Sequence, residues 1–343
     1  MNPLLYIHIP FCDTKCPYCS FNSFTGISSE KERYFDALSK QLEFDTQKFE
    51  VSKFKTIFIG GGTPSTVESK FYEKLFSKLD LSETVEITVE ANPNSANENW
   101  LREMKNLGVN RLSLGVQSFQ TEKLKYLGRH HSGKRAKDIL EKANKVGIER
   151  ISLDLIYGTK FDNREFLEKE ISELENLPID HLSLYSLTIE EGTPFQKIGE
   201  KNFENISETE WLLEKISEKF PQYEISNFGN PSIHNLGYWG GENYLGLGSG
   251  AVGFWNDFRY YPERNPQKYI ENPFDREIEK LSENDLFFEK LFLGFRSKIG
   301  VSKNDLDLKI LDLLLEKGIV LEKENRIFNK NYLLADEVAL KFL

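Results

Sequence analysis

The sequence predicts an α/β fold of repeated strand-then-helix units, followed by a smaller C-terminal domain. From residue 4 to about residue 228, apolar runs of strand length alternate with stretches whose apolar residues recur at helical spacing. From about residue 282 the pattern changes to short, charged helices and a small hairpin. Repeated β-then-α units imply parallel strands, right-handed crossovers, and either a barrel or an open doubly wound sheet.

Six strands and the helices between them account for most of the first part. The predicted strands are residues 4–9, 56–59, 85–90, 111–116, 150–156 and 181–188. The helical patterns are marked by Phe35/Leu38/Leu42, Phe71/Leu75/Leu79, Ala136/Ile139/Leu140/Ala143 and Phe166/Leu167/Ile171/Leu174, with a further helix near residues 208–220.

These strands alternate polar and apolar side chains, whereas parallel strands packed on both faces usually carry continuous apolar runs. In the third strand, for example, Glu86, Thr88 and Glu90 alternate with apolar neighbours. The solvent face of an antiparallel sheet would give the same pattern, but the intervening helices disfavour it. We therefore expect polar side chains to line a barrel lumen, where a ligand or water satisfies them.

The C-terminal region has the layout of a winged helix. Helical spacing at Phe287/Leu291/Phe295 and Leu306/Ile310/Leu313/Leu314 precedes a hairpin over residues 318–328, turning at Glu324-Asn325, and a closing helix over residues 332–342. We therefore divide the chain into a core barrel (1–230), a connecting segment (231–281) and a C-terminal domain (282–343). The mixed charge of that domain disfavours DNA binding, so we expect a lid or a partner surface.

Composition narrows the class of protein. The formal net charge of −10 over 343 residues argues against nucleic acid as the main partner. No apolar run approaches transmembrane length, and the segment after Met1 lacks a basic region leading into an apolar one. We therefore expect a cytoplasmic protein.

All three cysteines, Cys12, Cys16 and Cys19, lie in one short stretch over residues 8–21. Their odd number and close spacing disfavour a disulfide framework. Three thiolates at these spacings can converge on one face of a small loop, which suits either a metal ion or an iron–sulfur cluster. A structural zinc ion would need a fourth ligand, which His8 could supply.

The spacing Cys-x3-Cys-x2-Cys, with Tyr18 just before the last cysteine, resembles the signature of the radical S-adenosylmethionine (SAM) family. The resemblance implies a partial (β/α)6 TIM-like barrel and a [4Fe-4S] cluster held by Cys12, Cys16 and Cys19. The open fourth iron would take the amino and carboxylate groups of SAM, and an electron from a donor would cleave SAM to a 5′-deoxyadenosyl radical. It also implies that Tyr18 lies at the SAM site.

Further segments resemble, in order, parts of oxygen-independent coproporphyrinogen oxidase and its relatives. One is Gly60-Gly61-Gly62-Thr63-Pro64, although a glycine triplet alone also suits a tight turn. The resemblance implies SAM contacts at Tyr6, Gly61, Gly62, Thr63, Glu90, Gln117, Arg129 and Asp154. Carboxylates could accept hydrogen bonds from an ammonium or ribose hydroxyls, and an arginine could bind a carboxylate as a fork. Taken singly, each charged residue could instead form a structural salt bridge or cap a strand.

A later stretch, His234-Asn-Leu-Gly-Tyr238-Trp239, resembles the His-Asn-x-x-Tyr-Trp motif of the heme chaperones in this family. A histidine beside two aromatic rings is chemically suited to gripping a porphyrin and ligating its iron. Alternatively, the histidine caps a turn over an aromatic cluster. Val252 stands where we expect the chaperones to carry a histidine, which would reduce the ligand set for heme.

Two departures distinguish the chain from the oxidase. The oxidase carries an N-terminal extension before its cysteine loop and a further cysteine two residues after the third, whereas here the loop begins at Cys12 and Phe21 fills that position. The resemblance therefore implies a chaperone that passes heme to an acceptor hemoprotein, including respiratory enzymes at the membrane. The alternatives are a coproporphyrinogen III oxidase yielding protoporphyrinogen IX, and a zinc-stapled binding module. No catalytic residue is assigned.

Overall fold

The computed structural model describes residues 2–343 and contains the six expected parallel strands. Their bounds are β1 Leu4–Ile9, β2 Thr56–Gly61, β3 Glu86–Ala91, β4 Arg111–Gln117, β5 Arg150–Tyr157 and β6 His181–Ser186. The helices that alternate with them are α1 Lys31–Lys48, α2 Ser69–Phe76, α3 Glu98–Asn106, α4 Thr121–Tyr126, α5 Gly133–Lys145 and α6 Arg164–Ser172. Each strand pairs in parallel with the next, which confirms the α/β prediction.

The alternation along the strands separates two buried faces. Leu5, Ile7 and Ile9 of β1 are fully buried with the apolar faces of the helices in one large core. Glu86 and Arg111, on the opposite face, are also almost completely buried. The polar face is therefore an interior surface, as the sequence predicts, and not a solvent face.

The remaining elements extend both ends of this sheet. They are α7 Pro194–Lys197, α8 Ile206–Lys219, β7 Asn227–Gly229, α9 Ile233–Trp239, β8 Tyr244–Leu247, β9 Gly253–Trp255, β10 Phe258–Pro262, α10 Pro266–Glu271 and β11 Arg276–Lys280. Strand β7 runs antiparallel beside β6, and β8 runs parallel beside β1, followed by antiparallel β9 to β11. Since β1 and β6 pair with these additions and not with each other, the barrel is a partial one.

Residues after 282 form a separate three-stranded sheet with its own apolar cluster, which includes Leu291, Phe295 and Ile327. The elements are α11 Glu283–Phe295, β12 Val301–Ser302, α12 Leu308–Glu316, β13 Val320–Lys323, β14 Arg326–Asn329 and α13 Ala335–Leu340. Glu324 and Asn325 both have positive φ, 53° and 60°, as a tight two-residue hairpin turn requires. The turn lies where the sequence predicts it.

No helix among residues 2–343 is both long enough and apolar enough to cross a membrane.

Candidate functional site

The cysteine loop follows the carboxyl end of β1 and is closed by backbone hydrogen bonds. The Cys12 amide donates to the Phe24 carbonyl (3.0 Å), and the Phe24 amide donates to the Pro10 carbonyl (2.7 Å). A turn inside the loop is fixed by the Cys19 amide, which donates to the Cys16 carbonyl (3.1 Å). These bonds hold the three free cysteines on one short, partly exposed segment above the sheet.

Each thiol has at least one polar neighbour. Cys12 Sγ lies 3.3 Å from Thr63 Oγ1, Cys19 Sγ lies 4.0 Å from Ser23 Oγ, and the Arg129 guanidinium donates to Cys16 Sγ at 3.5 Å. Burial raises the pKa of Cys12, and the two hydroxyls partly offset that rise. Donors placed around cysteine sulfurs are among the groups that tune an iron–sulfur cluster, so the surroundings fit one.

A zinc ion fits this loop less well. Among residues 2–343, no three His, Cys, Asp or Glu side chains are grouped so that they could hold a single metal ion, whereas a structural zinc site needs four ligands around one centre. In a cluster each thiolate binds a different iron, so the thiols need not meet at one point.

His8, the suggested fourth zinc ligand, has other partners. Its Nε2 lies 2.8 Å from the Asn22 carbonyl oxygen and its Nδ1 lies 3.0 Å from the Tyr6 hydroxyl. Because a carbonyl only accepts, Nε2 carries the proton, and the Nδ1 of the neutral ring accepts from Tyr6. Burial lowers the pKa of His8, which favours this neutral form. His8 thus fastens the cysteine loop to the strand below.

The glycine triplet lies directly under the cysteine loop. A Cβ at Gly61, whose φ is +114°, would lie 2.5 Å from the His8 ring, and a Cβ at Gly62 would lie 2.7 Å from the Phe11 carbonyl. The Thr63 amide donates to that same carbonyl at 2.8 Å. The triplet is therefore a close backbone contact with the loop, which any larger residue would break.

Two carboxyl groups, of Glu90 and Asp154, face the interior from the carboxyl-terminal halves of β3 and β5. Burial and the neighbouring Asp154 raise the pKa of Glu90 to about 8, although the Gly61 amide donates to it at 3.1 Å. Burial likewise raises the pKa of Asp154, which accepts from the Ser113 hydroxyl at 3.1 Å. Two carboxyls with raised pKa values in one partly buried site favour a cationic ligand, which would restore their ionised state.

Arg129 and Gln117 lie beside these carboxyls. The Arg129 guanidinium bridges the cysteine loop and β4, because it donates to Cys16 Sγ and to the Gly115 carbonyl (2.5 Å), while its buried Nε has no partner. Gln117 has a φ of +68° at a bulge where the β4–β5 register shifts. A non-glycine residue in this conformation is uncommon and is typical of functional sites.

Tyr18 belongs to the cysteine loop itself, whereas Tyr6 belongs to β1. Tyr18 packs in a small apolar cluster, with its ring 6.5 Å from that of Phe195. Tyr6 lies on the inner face of β1 beneath the loop, 6.3 Å ring to ring from Phe58. The structure thus brings together most of the residues expected from the sequence to contact SAM, and Tyr18 lies next to Cys16 and Arg129.

His234 lies near the amino end of β2, on the Tyr6 and Phe58 side of the interior, with its ring 5.2 Å from that of Phe58. It belongs to α9, whose first turn is held by Glu86: this carboxylate accepts from the Ser232 hydroxyl and from the amides of Ile233 and His234, each at 3.0 Å. His234 is fully buried, with Nδ1 2.7 Å from Thr56 Oγ1 and with Nε2 lacking a partner. Burial lowers its pKa to about 3, so the ring is neutral.

The His-Asn-x-x-Tyr-Trp motif opens onto a cavity of 710 Å³. The cavity lies between the barrel and the C-terminal domain, and its size is ordinary for a small-molecule site. Its barrel wall includes Tyr6, Phe58, His234, Tyr238, Trp239 and Val252, and its other wall includes Leu286, Leu293 and Arg326. The second wall is not recognisable from the sequence, because its residues form no motif and fit an ordinary amphipathic helix and hairpin.

Comparison with known proteins places the chain in a family. Residues 6–174 match the radical SAM superfamily. Heme chaperone HemW of Bacillus subtilis (strain 168) is 34% identical over an alignment of 372 positions that covers 98% of each chain. The chain belongs to the HemW family of radical SAM proteins. HemW of Lactococcus lactis subsp. lactis (strain IL1403) is also 34% identical, over 86% of this chain and 82% of its own.

Two further similarities are to another HemW protein over a shorter stretch of the chain and to a solved structure. HemW of Escherichia coli (strain K12) is 37% identical over 73% of this chain and 69% of its own. Coproporphyrinogen III oxidase (HemN) from Escherichia coli, a radical SAM enzyme, superposes with a TM-score of 0.83 over 99% of this chain and 90% of its own, at 20% identity. The HemW-family chain therefore shares the HemN fold, including the C-terminal domain. Membership of the radical SAM superfamily implies a [4Fe-4S] cluster and SAM.

Proposed function

We propose that this HemW-family protein is a heme chaperone, which binds heme and transfers it to acceptor hemoproteins. One observation carries the proposal: His234, Tyr238 and Trp239 all line a single cavity of 710 Å³ in a chain related to heme chaperone HemW over nearly its whole length. Neutral imidazole is a common axial ligand of heme iron, and aromatic rings pack well on a porphyrin face.

The cluster and SAM belong to the other end of the interior. Cys12, Cys16 and Cys19 would hold the [4Fe-4S] cluster, which supplies an electron to the SAM sulfonium when both are bound. The partly buried carboxyls of Glu90 and Asp154 would accept hydrogen bonds from the cationic ligand. The remaining SAM contacts that we propose are Tyr6, Tyr18, Gly61, Gly62, Thr63, Gln117 and Arg129.

The oxidase alternative receives less support. Where the resemblance gives the oxidase a further cysteine, this chain has Phe21, whose side chain is 66% exposed and supplies no thiol. The similarity to HemN concerns the fold alone and does not favour oxidation of a porphyrinogen. We therefore propose heme transfer and not decarboxylation.

The test is an anaerobic heme titration of the reconstituted protein, followed by its visible spectrum, with coproporphyrinogen III, SAM and reductant assayed on the same sample. We expect saturable binding at one heme per chain and no porphyrinogen conversion. Conversion without specific heme binding would identify an oxidase, and a colourless, zinc-containing protein would identify the zinc-stapled module.

The proposed partners follow from this function. They are an acceptor hemoprotein, with membrane-bound respiratory enzymes included, and an electron donor for the cluster. We propose a cytoplasmic protein that contacts the membrane transiently when the acceptor lies there. Transfer is measured by mixing the heme-loaded protein with membrane vesicles that contain an apo-cytochrome and following the cytochrome spectrum.

A further inference from the structure

We infer that Arg326 forms a carboxylate-binding subsite in the cavity that His234 lines, and that this subsite receives a propionate of the porphyrin. The inference rests on the proposed function, because it assigns a second part of the same cavity. Arg326 begins β14 of the C-terminal domain, whereas His234 belongs to α9 beside the barrel. A single ligand would therefore contact both domains.

The charges around the cavity single out Arg326. The other charged side chains that line it are all paired, in the ion pairs Lys55–Glu242 (2.7 Å), Arg259–Glu289 (2.5 Å) and Lys290–Asp305 (2.5 Å). Arg326 lies in the same wall of the cavity as Lys290. Among residues 2–343, however, it has no carboxylate within salt-bridge distance. The cavity thus carries one uncompensated positive charge, which favours an anionic group on the ligand.

The Arg326 guanidinium is already held in place by its own domain. Its Nε donates to the Ile299 carbonyl at 2.7 Å, and its Nη2 donates to the Gly300 carbonyl at 2.8 Å. Two neutral carbonyls orient the group without neutralising it. Nη1 and the second Nη2 hydrogen remain available, which is the forked arrangement that binds a carboxylate. Since the side chain is fixed beforehand, little conformational entropy is lost on binding.

The rest of the cavity matches an amphiphilic metalloporphyrin. Leu286, Leu293, Val252 and Phe254 provide an apolar lining. His234 provides a buried imidazole nitrogen, Nε2, that has no partner in the protein. A flat apolar ring with a central metal and carboxylates along one edge would use the apolar lining, the imidazole and the guanidinium together. A neutral apolar ligand would leave Arg326 unused.

The experiment compares hemin with hemin dimethyl ester, both titrated in the same mild detergent into the reconstituted full-length protein. We expect the wild type to bind the diester roughly tenfold or more weakly, because a charge-assisted hydrogen bond contributes about that much. Arg326→Gln is expected to bind hemin as weakly as the wild type binds the diester, and to lose the discrimination. Arg326→Lys keeps the charge without the fork and is expected to lie between them.

The matched control is Lys303→Gln. Lys303 lies in the same domain and pairs with Glu322 at 2.8 Å, but it is not among the cavity residues. This variant is expected to discriminate between hemin and its diester as the wild type does.

Three outcomes would overturn the inference or its basis. Equal affinity of the wild type for hemin and the diester would overturn the subsite and leave heme binding intact. Discrimination that survives in a folded Arg326→Gln protein, judged by circular dichroism and an unchanged cluster spectrum, would also overturn it. Binding of neither ligand would overturn the proposed function itself. The wild-type comparison needs no variant, so a folding defect at Arg326 does not remove the test.

Discussion

Glu90 connects local electrostatics to SAM binding. In the ligand-free protein burial and Asp154 raise its pKa to about 8, so the carboxyl is mostly protonated at pH 7. A cationic ligand favours the ionised form, so binding must release a proton. We predict that SAM affinity rises between pH 6.5 and pH 8.5, and that calorimetry in buffers of different ionisation enthalpy detects proton release at pH 7.

Glu90→Gln is the variant that checks this prediction. It should bind SAM more weakly, with little pH dependence. The folded pKa of Glu90 exceeds the unfolded value of 4.5, so wild-type stability falls as the pH rises from 4.5 through 8. The variant lacks that loss and should unfold at a higher temperature than the wild type at pH 8. If both proteins show the same pH dependence of SAM affinity, Glu90 does not contact SAM.

Cys16 tests the ligand assignment at the cysteine loop. We predict that Cys16→Ala loses the [4Fe-4S] absorbance, because the cluster would lack one of its three thiolate ligands. The variant should also bind SAM more weakly, because the iron that would bind SAM is part of that cluster. Iron and sulfide content measured after anaerobic reconstitution, together with the visible spectrum, checks the outcome. A variant with a full cluster complement would contradict the assignment.

His234 tests the heme assignment, and the chain offers a matched control. We predict that His234→Ala weakens heme binding at least tenfold and alters the heme spectrum, while the cluster spectrum stays unchanged because the cysteine loop is elsewhere. His181 is also a buried histidine on the inner face, but its nitrogens lie 2.7 Å from Ser152 Oγ and 2.8 Å from the Tyr223 hydroxyl. His181→Ala should lower stability and leave the heme spectrum as in the wild type.

At the scale of elements, helix α9 depends on a single buried carboxylate. Glu86 accepts three hydrogen bonds from the first turn of α9 and pairs with Arg150 at 3.0 Å. We predict that Glu86→Ala lowers the free energy of unfolding by about 3 kcal/mol, because buried donors and a charge lose their partner. Heme affinity should fall with it, since α9 carries His234.

Chemical denaturation of the cluster-free protein measures this change. Glu98→Ala is the control, because Glu98 forms an exposed helical pair with Arg102 at 2.8 Å. Such pairs contribute less than about 1 kcal/mol. If Glu86→Ala costs no more than Glu98→Ala, the carboxylate does not hold α9.

The elements that the sequence predicts well are those whose pattern has one physical cause. Strand β1 has the predicted bounds, because Tyr6 and His8 on its inner face alternate with apolar Leu5, Ile7 and Ile9 on its outer face. The same alternation identified Glu90 and Asp154 as interior groups. Strands β8 and β9 were not predicted, because they are short and each contains a glycine. Their place in the sheet depends on tertiary pairing, of β8 with β1 and of β9 with β8 and β10, and not on local pattern.

The second wall of the cavity could not be predicted from the sequence either, because its role depends on tertiary contacts. Arg326 is one of many basic residues in a charged hairpin, and only its tertiary surroundings show that it lacks a carboxylate partner while its neighbours have one. Glu86, in the same way, was recognised as an interior polar residue, but its role at α9 depends on contacts more than 140 positions away in the chain.

At the scale of the whole molecule, the two proposed sites meet at Tyr6. Its hydroxyl donates to His8, which holds the cysteine loop through the Asn22 carbonyl, and its ring also lines the 710 Å³ cavity. A porphyrin in the cavity would therefore lie next to the layer that supports the cluster and SAM. Because Tyr6 belongs to both sites, a ligand bound in one site can change how firmly the residues of the other site are held. The two ligands need not touch each other.

Hydrogen exchange distinguishes this architecture from one in which porphyrin enters the barrel lumen. We predict that heme added to the cluster-loaded protein slows amide exchange in α9 and α11, because the ligand bridges the barrel and the C-terminal domain and stabilises their contact. Helix α3 packs on the outside of the barrel, contacting α2 and α5, so its exchange should not change. Protection confined to the carboxyl ends of β3 to β5, with none in α11, would place the porphyrin at the SAM site, where an oxidase needs it, and would contradict the interdomain cavity as the heme site.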